Sequence, residues 1–110
     1  LSRYRFLLSL VLFLKQFLYK RAFLKAFDSY KESEKELIIS ADRQIRYFCL
    51  NRSAPYGLRI KKLFEKGAEK TFEARVTDKI RLLYVESEEL VAFAFLGNHE
   101  QVRRYIKSFK

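Results

Sequence analysis

Arg75 and Arg81 are the side chains in this sequence best suited to chemistry, and the residues between them decide whether the two meet. Both lie in the stretch Phe72–Tyr84, which reads as a β-hairpin. If Thr77-Asp78-Lys79 is the loop, Val76 faces Ile80, Ala74 faces Leu82 and Phe72 faces Tyr84, and six apolar or aromatic residues share one face. A slip of one residue would scatter them over both faces, so burial selects this register. The other face then carries Arg75 directly opposite Arg81, beside Glu73. Like charges opposed across a ladder are destabilising. An anion held between the two guanidiniums would offset that repulsion, since guanidinium is planar, always charged and grips two oxygens at once. Two solvated arginines are the alternative reading.

His99 is the only histidine, and its ordinary pKa lies near neutrality. A lone histidine is also a common structural or solvated residue. Cys49 is the only cysteine, so no intrachain disulfide is possible and nothing points to an oxidising compartment. One Cys and one His argue against a zinc site or a Cys–His nucleophile. No Walker pattern or Gly-rich phosphate loop is present, and only 3 glycines exist to build one. Arg59, Lys61 and Lys62 cluster on a predicted strand, where solvated charge is the plain alternative to ligand binding. The formal net charge of +10 favours an anionic partner. Nucleic acid, an acidic protein and an anionic membrane all qualify.

At 110 residues the chain is one domain with a modest core. Its 49% apolar and 33% charged content is the balance of a globular domain, not a disordered one. Most of its 11 phenylalanines and 7 tyrosines are expected in that core, although such rings also stack on bases. Residues 1–17 stand apart. Phe6–Leu14 is nearly all apolar, between Arg3 and Arg5 on one side and Lys15 on the other. The run is too short to span a bilayer. A basic flank before a short apolar run is signal-like, but no small-residue cleavage site follows. The first reading is a packing or self-association helix. A membrane-facing segment is the second. Because the chain opens at Leu1 and not Met, a trimmed or over-extended reading frame is the third.

Phe17–Tyr30 reads as a helix or as a short strand leading into one. Ser33 with Glu36 fits a capping box. Leu37, Ile38, Ala41, Ile45, Phe48 and Cys49 recur at helical spacing, which gives an antiparallel helix pair broken near Tyr30–Glu32. Residues 51–57 contain the only proline and form a loop. Beyond it the period changes to 2. A strand over Leu58–Phe64 is followed by a polar turn over Glu65–Lys70, the hairpin and a turn at Glu86–Glu89. Leu90–Leu96 is almost continuously apolar, as a strand covered on both faces would be. Asn98 can cap a last helix, in which Val102, Tyr105, Ile106 and Phe109 recur at three- and four-residue steps. The predicted architecture is α+β: an N-terminal helix pair, three or four antiparallel strands and a C-terminal helix.

Gly57–Leu63, Phe72–Val76, Ile80–Tyr84 and Gly97-Asn98-His99, in that order, resemble the RelE/ParE toxin superfamily of type II toxin–antitoxin systems. The resemblance is closer to its RelE-like mRNA interferase branch. It runs from about Tyr19 to the C-terminus, so the toxin-like domain is drawn at residues 18–110 and residues 1–17 form an apolar extension. The resemblance implies a small basic cytoplasmic toxin neutralised by an acidic antitoxin. RelE-like members cut mRNA on the ribosome without metal or cofactor. The RNA 2′-hydroxyl attacks the adjacent phosphate and leaves a cyclic phosphate and a free 5′-hydroxyl. ParE-like members poison DNA gyrase and lack a nuclease site.

That cleavage requires a base for the 2′-hydroxyl, cations for the five-coordinate phosphate and an acid for the leaving oxygen. By their positions in the motifs, Arg81 and Arg75 would stabilise the phosphate and His99 would transfer protons. Tyr105 would stack on a base or join in proton transfer, although its place on the apolar stripe also fits core packing. Lys61, Lys62 and Arg59 would hold the RNA backbone. The chain departs from the pattern at Glu73, where some members carry lysine and which could neutralise Arg75. It departs again at Lys61, near which some relatives carry a glutamate base, so His99 would serve as base, acid or both. The expected function is an mRNA endonuclease toxin. A gyrase-directed toxin, indifferent to loss of His99, is one competitor. A basic module for RNA or membrane surfaces, working through Phe6–Leu14, is the other.

Overall fold

The computed structural model of the chain describes residues 15–51 and 57–108. Their elements run β1 (Gln16–Tyr19), α1 (Arg21–Asp28), α2 (Glu32–Asn51), β2 (Lys61–Lys66), β3 (Glu69–Arg75), β4 (Arg81–Glu86), β5 (Leu90–Gly97) and α3 (His99–Ser108). The apolar extension up to Leu14, most of the 51–57 loop, and Phe109 lie outside the described residues.

The β3–β4 hairpin takes the register that its apolar pattern demands. Phe72 pairs with Tyr84, Ala74 with Leu82 and Arg75 with Arg81, and the Val76 amide donates to the Ile80 carbonyl at 2.9 Å. Thr77 explains why the loop falls where it does. Its Oγ1 accepts from the amides of Lys79 and Ile80, at 3.1 and 3.0 Å, and replaces ladder partners that the turn removes.

The sequence pattern predicts three or four antiparallel strands, whereas the sheet has five and is mixed, in the order β1-β5-β4-β3-β2. The addition is β1, which lies parallel to β5 with Phe17 beside Val91 and Tyr19 beside Phe93. Four residues are too few for periodicity to separate a strand from a helical turn. A parallel partner far along the chain also leaves no hairpin signal. Two smaller corrections have local causes. Ser33 is not the cap of α2: the helix begins at Glu32, and Glu34 reaches back to accept from the Lys31 amide at 3.3 Å. The strand predicted from Leu58 becomes regular only at Lys61, because Arg59 takes a left-handed conformation (φ 45°) that interrupts the pleat.

The helix pair seals one face of the sheet. Phe23 of α1 and Ile38, Ala41, Ile45 and Cys49 of α2 pack on Leu82, Tyr84, Val91 and Phe93. Tyr19 stacks on Phe93 with centroids 4.9 Å apart, and its hydroxyl donates to Asp42 of α2 at 2.7 Å. Burial and that carboxylate push the Tyr19 phenol up to about 12. On the opposite face α3 lays Val102, Tyr105 and Ile106 over Leu83, Ala94 and Phe95. A register shift against β4 lets the consecutive residues Ala94 and Phe95 both join this second core. β5 is therefore covered on both sides, as its apolar run requires.

Asn98 caps α3 in a reciprocal box. Its Oδ1 accepts from the Gln101 amide and its own amide donates to Gln101 Oε1, both at 2.8 Å. The turn into this helix is tight. A Cβ on Gly97 would lie 2.9 Å from Gln101 Cβ and from the Phe95 ring, so only glycine lets the helix close onto the sheet there.

Candidate functional site

Strand alternation places the site. Ala74 and Leu82 are committed to the core under the helix pair, so Glu73, Arg75 and Arg81 emerge on the face that α3 covers. On α3, Val102 and Ile106 turn to the sheet, while His99, Arg103 and Lys107 recur every four residues and form one stripe beside them. Between that stripe and the sheet lies a cleft of about 700 Å³. Arg59 and Lys61 line it from β2 and its approach, Glu73, Arg75 and Arg81 from the hairpin, and His99, Arg103 and Lys107 from α3. Leu63, Ile60 and Phe64 supply apolar wall.

Six cations and the only imidazole thus meet around one carboxylate. Glu73 neutralises Arg81, not Arg75 as its position in the sequence invites. Its Oε1 accepts from an Arg81 terminal nitrogen at 2.8 Å, and both side chains are largely shielded, at 13% and 14% exposure. Shielding strengthens such a pair and fixes the guanidinium in one orientation. Arg81 Nε is buried and has no hydrogen-bond partner among the described residues. A buried donor left open in this way is a demand for an acceptor. Arg75 donates its backbone amide to the Leu58 carbonyl at 2.6 Å, which holds the β2 approach against the hairpin and keeps Arg59 at the cleft.

Of the residues singled out from the sequence, Arg59, Lys61, Arg75, Arg81 and His99 line the cleft. Lys62 does not: it stands opposite Phe72 on β3 and its ammonium pairs with Glu65, holding that carboxyl below its ordinary value. Tyr105 also stays out. Its ring stacks on Phe95 at 4.6 Å and 6°, and burial raises its phenol. Arg103 and Lys107 were not anticipated, although their four-residue step from His99 was a readable signal. Glu73 stands directly opposite Lys61 on the neighbouring strand. Among the described residues no group of three His, Cys, Asp or Glu is placed to hold a metal ion.

The fold as a whole is similar to that of solved toxins. The RelE–RelB complex of Pyrococcus horikoshii matches with a TM-score of 0.63 at 16% identity, over 76% of this chain and 93% of that one. The fold is that of the RelE-like toxins. YafQ in the Escherichia coli DinJ–YafQ toxin–antitoxin complex matches with a TM-score of 0.65 at 15% identity, over 80% of this chain and 96% of that one. The YoeB dimer of Staphylococcus aureus matches at 0.58 and 12%, over 79% and 98%. No protein-family model and no curated protein sequence matches the chain. In RelE-like terms, the cleft lies between the sheet and the last helix of the fold.

Proposed function

We propose that the chain is the toxin of a toxin–antitoxin system and an RNA endonuclease acting on ribosome-bound mRNA. The observation that carries this reading is the convergence of Arg75, Arg81 and His99 in one basic cleft, with Arg81 held by Glu73 and its Nε left open. A phosphodiester seated there would meet two opposed guanidiniums, which stabilise the charge that grows on phosphorus as the 2′-hydroxyl attacks. His99, exposed at the start of α3, would move protons between the attacking and leaving oxygens. Lys61, Arg59, Arg103 and Lys107 would bind flanking phosphates. Lys62 would meet RNA only beyond the cleft, and Tyr105 would act by supporting α3 on Phe95.

The protein would work in the cytoplasm and be held inactive by an acidic antitoxin. The net charge of +10 supports such a partner, and so do Leu24, Leu37 and Ile39, exposed on the helix pair. The test is induced expression in bacteria of the unmodified chain, Arg81→Ala and His99→Ala, with growth followed beside primer extension on a reporter message. Growth arrest with new RNA ends, lost in both variants, is the expected result. Arrest without RNA cleavage, unchanged by His99→Ala, would move the assignment to a gyrase-type protein target.

A further inference from the structure

α3 covers only part of its face of the sheet. Over the remainder runs a groove of about 600 Å³, floored by Leu18 of β1, Leu90 and Ala92 of β5, Val85 of β4, Thr71 of β3 and Phe64 of β2. Leu18 is 39% exposed there. The charged lining is Glu65 and Lys66 at the end of β2, Glu69 at the start of β3 and Lys20 after β1. This is an apolar floor without a covering element among the described residues.

The chain leading into β1 enters at the end of this groove. Lys15 is only 10% exposed and pairs with Glu86 at 3.2 Å. Its ammonium also donates to the carbonyls of Ser87 and Glu88 at 2.6 and 2.9 Å. It is clamped to the β4–β5 turn, whose Ser87 also lines the groove, although Lys15 and Glu86 themselves line a separate small pocket with Lys70. The fourteen residues before Lys15 lie outside the described residues, and Phe6–Leu14 is apolar except for Ser9.

We propose that Phe6–Leu14 docks on this groove of its own chain. The dimensions fit. Five strands at about 4.8 Å spacing make the sheet face about 19 Å wide, and nine residues span about 13 Å even when fully helical. A segment tethered at the groove's end is also present at millimolar effective concentration, ahead of a second copy in dilute solution. Lys15, one of the three cations flanking this run with Arg3 and Arg5, is already held by Glu86. The solved neighbours match over 93–98% of their own chains and 76–80% of this one, so this chain carries residues beyond the shared fold. Phe64 lines both groove and cleft, so the docked segment borders the candidate site. The inference does not depend on what that site does.

Limited chymotrypsin digestion of the full chain, read by mass spectrometry, tests the docking. Cleavage within residues 6–14 is expected to be about tenfold or more slower than in Leu18→Glu or Leu90→Glu. Val11→Glu should be cleaved equally fast, and it leaves every described contact in place. Equal cleavage in all four proteins would overturn the proposal. Protection lost on dilution, with a dimer-to-monomer change in sedimentation, would overturn it in favour of a second copy. Protection seen only with vesicles of anionic phospholipid would overturn it in favour of a membrane surface.

Discussion

Under α1 and α2 the sheet presents Leu82, Tyr84, Val91 and Phe93, each no more than 1% exposed. Under α3 the same strands present Glu73, Arg75 and Arg81 beside Leu83 and Ala94. The first face is sealed by two helices and stacked rings. The second is covered by one ten-residue helix, whose inner stripe is apolar and whose flank is basic. Period-2 alternation forces this division, because every residue committed to one core delivers its neighbour to the other face. Arg75 and Arg81 can therefore oppose each other only because the first face is packed well enough to hold the register. One face should carry stability and the other chemistry, and substitutions can separate the two.

The largest effect is expected from Phe93→Ala, which removes the ring shared by Tyr19, Phe23 and Tyr84. Unfolding in urea should show a loss of about 3–5 kcal/mol. A loss below about 1 kcal/mol would break the assignment of stability to this face. Arg81→Lys keeps the charge but loses the planar fork that holds Glu73 and would grip a phosphate beside it. RNA cleavage is expected to fall about 100-fold, with little change in the urea midpoint. Arg103→Ala should weaken RNA binding at all sequences and lower the slope of log affinity against log salt by about 0.7. A filter-binding series across salt concentrations reads this directly, and an unchanged slope would remove α3 from the interface.

The smallest effect concerns Tyr19. Its folded value, about 12, lies above the ordinary 10.0, so the folded state prefers the neutral phenol. Its contribution to stability is complete below pH 10 and is lost as pH rises towards 12. Tyr19→Phe should flatten the fall in urea midpoint across that window. A fall that persists in Tyr19→Phe would assign it to other groups.

The hairpin register was legible because two constraints, apolar period and loop position, agreed on one pairing. The covered strand Leu90–Gly97 and the Asn98 cap were legible for similar local reasons. β1 was not, because a four-residue strand with a parallel partner leaves only a short apolar trace. Arg75 is the nearer cation to Glu73 in sequence, yet Glu73 pairs with Arg81. Across the ladder Glu73 faces Leu83 and Arg75 faces Arg81, which puts Arg81 on the diagonal from Glu73 and within reach of two long side chains. Lys62 stands outside the cleft because strand neighbours alternate faces: with Lys61 turned to the cleft, Lys62 stands opposite Phe72 on the other side. The spacing of Tyr105 fits both base stacking and core packing, and its ring lies on Phe95.

The most direct test of phosphate chemistry in the cleft uses ribosomes programmed with an mRNA carrying a single 2′-deoxynucleotide at the cleavage site. The purified chain is expected to cut the all-ribose message and leave a cyclic phosphate and a 5′-hydroxyl. It should bind the deoxy message equally well and leave it intact. Cleavage of the deoxy message at an undiminished rate would contradict attack by the 2′-hydroxyl, and with it the roles given to Arg81 and His99.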